Sequence, residues 1–138
     1  MGRGRGRRRP GRRHLARLRL ELPEPFDFAL STTRFVAFGT DLATRFVDGV
    51  LHRAIGGRDV AITAAPGGVD VDPLDEETRP VVLHVLGAPF DLEPFYTWAS
   101  GPMAQLTMRL RGFRPPLQPD PFEALVTSIT AQQVSLFS

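Results

Sequence analysis

The chain contains no cysteine and no lysine. The first absence excludes disulfides, thiolate metal sites and cysteine nucleophiles. The second makes arginine the source of all 17 formal positive charges, a usage read as coding bias towards GC-rich codons. Histidine is scarce, and His14, His52 and His84 stand too far apart to show metal-ligand spacing. No metal and no cofactor are expected. No apolar run approaches the ~18 residues that a membrane span needs, and the start lacks the apolar stretch of a secretory signal. No internal repeat is visible. The expectation is a cytoplasmic protein without a membrane partner. What is present is ordinary for one domain with a real core: 138 residues, 42% of them hydrophobic.

The net charge of +2 conceals an asymmetry. Residues 1–19 carry nine arginines and no acid, which leaves eight arginines against 15 acids in residues 20–138, a net of −7. A basic tail is attached to an acidic body. Residues 1–14 are an arginine- and glycine-rich segment that cannot bury apolar surface, and disorder is expected there. Such a tail can act as an electrostatic arm on phosphates. The plainer reading, a start codon assigned too far upstream or a merely solvated tail, is preferred.

Order is expected from about Leu15. Leu18, Leu20 and Leu22 alternate with polar residues at the period of a half-buried strand, which Pro23 and Pro25 end. Ser31 is placed as the cap of a short helix carrying Phe35, Val36 and Phe38, stopped by Gly39. Phe46 to Ile55 reads as one strand, Gly56-Gly57 as a tight turn and Asp59 to Ala65 as the partner strand. Val69–Asp72 and Val81–Leu86 read as two more strands. The intervening acids, Asp70, Asp72, Asp75, Glu76 and Glu77, do not match a calcium-loop spacing and read as a solvated loop.

The pattern turns helical after Phe90. Asp91 is expected to cap Leu92–Ala99, and Gly101-Pro102 to open a helix whose Met103, Leu106 and Leu110 form a buried stripe ending at Gly112. After Pro115-Pro116, Asp120 caps a final helix with Pro121 at its first position and Glu123 at its third, a carboxylate form of the capping box. Its apolar face is Phe122, Leu125, Val126 and Ile129. Strands first and helices second indicate an α+β fold. The last helix shows no C-terminal cap, and the chain is expected to break off inside a larger domain.

Three segments resemble the N-terminal portion of AlkA-like DNA-3-methyladenine glycosylases, members of the helix-hairpin-helix glycosylase superfamily. They are Pro25-Phe26-Asp27-Phe28, Phe90-Asp91-Leu92 and, most specifically, Asp120-Pro-Phe-Glu-Ala-Leu-Val-Thr-Ser-Ile-Thr-Ala-Gln-Gln-Val-Ser135. Their order and spacing cover about Leu18 to Ser138. The resemblance implies an antiparallel sheet with flanking helices, similar to half of a TATA-binding-protein fold, over residues 15–89. It implies the first helices of an all-α catalytic core, incomplete, over residues 90–138. Such enzymes flip a damaged base out of the duplex and hydrolyse its N-glycosidic bond, with a buried aspartate stabilising the cationic sugar.

Carried onto this chain, the resemblance assigns DNA contact to Gln132, Gln133 and Ser135, with a glutamine filling the gap left by the flipped base. It puts Arg34 and Phe35 on a helix bordering the base pocket, with core packing as the competing role for Phe35. No catalytic residue is assigned: the family's helix-hairpin-helix and aspartate fall beyond the equivalent of Ser138, while Asp120 and Glu123 are explained as caps. The implied partner is double-stranded DNA with alkylated bases, bound by a monomer. The alternatives are a non-enzymatic DNA-binding module with an arginine-rich tail, or a degenerate gene remnant.

Overall fold

In the computed structural model the described residues are 17–37 and 43–133. The elements are β1 (Leu18–Glu21), α1 (Phe28–Ala37), β2 (Thr44–Val47), β3 (Val50–Ile55), β4 (Arg58–Ala65), β5 (Gly68–Asp72), α2 (Thr78–Val85), α3 (Glu93–Trp98), α4 (Ala104–Arg109) and α5 (Pro121–Gln133). The strands form one antiparallel sheet in the order β1-β5-β4-β3-β2. This is the α+β architecture expected, with helices flanking the sheet.

Strand alternation divides the sheet into two faces. Leu20, Leu51, Ile55, Val60, Ile62, Val69 and Val71 are buried on one of them and meet Val82, Val85 and Leu86 of α2 and the turn after it. Each such side chain contributes roughly 1.5–3 kcal/mol when fully removed from water. The other face carries Arg19, Asp70, Thr63, His52 and Arg45, and there Arg19 Nε donates to Asp70 Oδ1 at 2.8 Å. The Gly56-Gly57 turn forms as expected, with φ of 54° and 72°.

Four sequence expectations are corrected. The single strand over Phe46–Ile55 is two strands, broken at Asp48-Gly49, whose φ values of 51° and 78° make a two-residue hairpin. The strand over Val81–Leu86 is helix α2. Its buried residues Thr78, Val82 and Val85 recur at helical spacing, and Pro80 sits in the first turn, where its missing N–H costs nothing. Asp75 starts that helix by a reciprocal pair: Thr78 N donates to Asp75 Oδ1 at 2.9 Å and Asp75 N donates to Thr78 Oγ1 at 2.9 Å. Ser31 is no cap. It is buried inside α1, and the cap is Asp27, whose Oδ1 accepts from Leu30 N at 2.9 Å. Lastly, α4 begins at Ala104, and Met103, Leu106 and Leu110 are exposed by 37%, 48% and 43% rather than buried.

The expected tail at 1–14, Phe38, Gly39 and Ser135 lie outside the described residues. Among the described residues no helix is long and apolar enough to cross a membrane.

Candidate nucleic-acid interface

Helix α5 carries two of the three expected DNA contacts, and its start is fixed locally. Asp120 Oδ1 accepts from Phe122 N at 2.8 Å and from Glu123 N at 3.3 Å, satisfying donors that the first turn leaves unpaired. The hydroxyls of Ser128 and Thr130 donate to the carbonyls of Ala124 and Val126, each at 2.8 Å, so their protons are spent within the helix. Gln132 is exposed one residue before the helix ends. Among the described residues its carboxamide has no hydrogen-bond partner, which leaves it free to donate and accept. Gln133 closes the helix.

The carboxylate of Glu123 does not fold back on the cap, as the capping-box reading expected. It crosses to the sheet, where Arg53 Nη2 donates to Glu123 Oε2 at 2.9 Å and Oε1 at 3.2 Å. Arg53 lies between Leu51 and Ile55 on the core face of β3 and is 6% exposed. Its Nη1 donates to Thr44 Oγ1 at 2.5 Å. A guanidinium so placed is tolerable only when paired. Sequence reading missed this site, although the alternation Leu51-Arg53-Ile55 puts Arg53 on the core side.

A second buried arginine ties the connector before α5 to the segment between β1 and α1 and to the turn after α2. Arg114 is 1% exposed. Its Nη1 donates to the carbonyls of Phe90 at 2.7 Å and Gly87 at 3.3 Å, and its Nε donates to that of Pro25 at 3.2 Å. Burial lowers its pKa, against the raising influence of Tyr96 and Asp91, yet a guanidinium remains charged. Ser31 completes the join, accepting from Arg114 N at 3.0 Å and donating to Gly112 O at 3.3 Å. Gly112 also accepts from Asp27 N at 2.8 Å and donates to the Tyr96 hydroxyl at 3.1 Å. With φ at +88°, and a hypothetical Cβ 2.8 Å from Asp27 N, no other residue fits there without a shift.

The residues expected to border a base pocket lie on α1. Arg34 is exposed in its last turn, and among the described residues no hydrogen bond or ion pair joins it to α5. Phe35 is half-buried and packs against the core. An open cleft of about 550 Å³ lies by the start of α1, between Phe26–Ala29 and the β4–β5 turn, but neither Arg34 nor Phe35 lines it. Three acids of the Asp70–Glu77 stretch are held by arginines: Arg19 reaches Asp70 at 2.8 Å, and Arg58 reaches Asp75 at 2.6 Å and Glu77 at 2.7 Å. Hydrogen bonding to Arg58, helped by Thr78, holds the Asp75 carboxyl well below the usual carboxylate range. Among the described residues no group of three or more His, Asp or Glu side chains could hold a metal ion.

Comparison with solved structures finds a 3-methyladenine DNA glycosylase from Archaeoglobus fulgidus, at a TM-score of 0.66 and 23% sequence identity, over 86% of this chain. The two share a fold. The chain spans 45% of the glycosylase's length, and at this identity the likeness speaks for the fold alone. No protein-family model and no curated protein matches the chain.

Proposed function

We propose that this chain is the N-terminal segment of a DNA-3-methyladenine glycosylase, an enzyme that excises alkylated bases from double-stranded DNA by hydrolysing the N-glycosidic bond. The observation that carries the reading is the fold shared with the archaeal 3-methyladenine DNA glycosylase over 86% of the chain. The segment Asp120–Ser135, which resembles the first helix of the catalytic core, supports it independently. Its cap, its helix and its exposed Gln132 suit a side chain that enters the gap of a flipped base.

In this reading the DNA-contacting residues Gln132, Gln133 and Ser135 belong to the chain, Arg34 borders the pocket, and Phe35 acts through packing. The stabilising aspartate and the helix-hairpin-helix belong to sequence beyond Ser138. The whole protein is a cytoplasmic monomer that uses neither metal nor cofactor, since a positioned carboxylate can stabilise the oxocarbenium-like sugar. The 138 residues alone are inactive.

The deciding experiment reads the gene through codon 138 and assays both products on methylated duplex DNA. The continued frame is expected to encode a helix-hairpin-helix and an aspartate and to release 3-methyladenine, while the 138-residue chain releases none. Release by the short chain, or an inactive product from the continued frame, defeats the reading.

A further inference from the structure

We propose that Arg53 and Glu123 are a positioning pair that fixes the direction of α5 against the sheet and so sets where Gln132 is presented. The claim about the helix stands on geometry alone; the claim about Gln132 rests on the DNA reading above.

The apolar side chains of α5 do not hold it in place. Phe122 is 74% exposed, Leu125 57%, Val126 46% and Ile129 52%. Among the described residues, two polar contacts tie the helix and its lead-in to the rest of the fold. One lies before it, where Leu117 N donates to His84 O at 3.1 Å and the Arg114 clasp holds the connector. The other is the paired contact of Glu123 with Arg53. A single anchor at Leu117 leaves the helix free to swing, and a second anchor in the first turn removes that freedom.

The anchor is a demanding one. Arg53 occupies a core-face position, and its Nε has no hydrogen-bond partner, so the planar fork is turned towards Thr44 and Glu123 rather than spread over every nearby acceptor. Both Glu123 oxygens accept from the single nitrogen Nη2 while Nη1 is held on Thr44, so the planar guanidinium is fixed in direction by partners on two of its nitrogens, which a lysine or an apolar contact would not do. Gln132 lies nine residues after Glu123, roughly 13 Å along the helix at 1.5 Å per residue. A swing of about 20° at the pair therefore moves the carboxamide by about 4–5 Å, well beyond hydrogen-bond tolerance.

The natural absence of cysteine makes the test direct. Spin labels are placed at Ala54→Cys, exposed on the outer face of β3, and Ala131→Cys, exposed on α5, and the distance distribution is measured by pulsed EPR. The otherwise unsubstituted chain should give one narrow distribution. Glu123→Gln should broaden it at least twofold while the amides of Leu51 and Ile62 stay protected from exchange. Should Glu123→Gln also loosen the sheet by stranding Arg53, the double variant Arg53→Met/Glu123→Leu decides, because it removes the buried charge with its partner. A broadened α5 distance over a protected sheet supports the tether, and an unchanged distance overturns it.

The presentation of Gln132 is read separately, from the affinity of the 138-residue chain for a duplex containing an abasic-site analogue. Glu123→Gln and Gln132→Ala should each weaken binding, and together no more than either alone. Additive losses, or no loss from Glu123→Gln, overturn positioning through Gln132. No loss from Gln132→Ala defeats the DNA-contact role instead and leaves the tether to the EPR result.

Discussion

Arg114 clasps the connector before α5 to Pro25, between β1 and α1, and to Gly87 and Phe90, after α2. It donates to three carbonyls from two separate stretches of chain. Arg114→Ala should lower the unfolding free energy by about 2–4 kcal/mol, seen as a lower urea midpoint. Arg114→Lys should recover only part of this, since one ammonium cannot reproduce the fork. A loss below about 0.5 kcal/mol would mean that the clasp is incidental.

Asp75 has a pH signature at the same scale. Its folded pKa is depressed, first by the hydrogen bond from Arg58 and then by Thr78. A depressed carboxylate stabilises the fold above its unfolded pKa of about 3.9 and loses that contribution as the pH falls towards the folded value. Asp75→Asn should therefore lower Tm at pH 7, and the gap from the parent chain should narrow as the solution is acidified below about pH 4. A gap that stays constant down to the acid limit would remove the ion pair from the explanation.

At the scale of elements, α5 owes its start to Asp120 and its placement to Glu123, two carboxylates three residues apart with separate tasks. Asp120→Ala should cost about 1 kcal/mol and raise amide exchange in the first turn of α5, leaving the sheet untouched. Protection there equal to the parent's would show that tertiary contact alone sustains the helix start. Helix α2 shows the opposite balance. Its apolar run Val81-Val82-Leu83 suits a strand by composition. Burial of Thr78, Val82 and Val85 on one side, with Asp75 bonded to the first turn, makes it helical.

The whole molecule combines a well-buried sheet with helices that leave large apolar side chains uncovered. Trp98 is 72% exposed, Met108 70% and Phe122 74%, while the sheet core is closed to solvent. Uncovered apolar surface on this scale marks a face that meets something else or a liability in solution. The 138-residue chain should bind an environment-sensitive apolar dye such as ANS, and Trp98→Glu with Phe122→Glu should reduce that signal without changing sheet exchange. Dye binding unaffected by both changes would place the sticky surface elsewhere. The formal net of −7 over residues 20–138 adds a salt test: with the plainer reading of the tail preferred, removal of residues 1–14 should leave the salt dependence of DNA affinity unchanged, and a flattened dependence would make the tail an electrostatic arm. A dependence unchanged by the truncation would show that the tail contributes nothing to binding.

The features legible in the sequence are those set by near neighbours in the chain. Alternation at Leu18–Leu22 and Val69–Asp72, the paired glycines of the β3–β4 turn, and Asp120-Pro121 at the start of α5 each act through local geometry. Asp48-Gly49 is an equally local turn signal, hidden in the sequence by the apolar pairs Phe46-Val47 and Val50-Leu51 on either side. Tertiary structure alone decided the rest. A short apolar run such as Val81–Leu86 becomes helix or strand according to the face it must bury. The stripe expected on α4 stays exposed because none of the described elements covers it. Arg53 meets Glu123 across 70 positions, and Arg114 meets Pro25 across 89. No spacing rule reaches that far, because such partners are chosen by the packing that desolvates the charge.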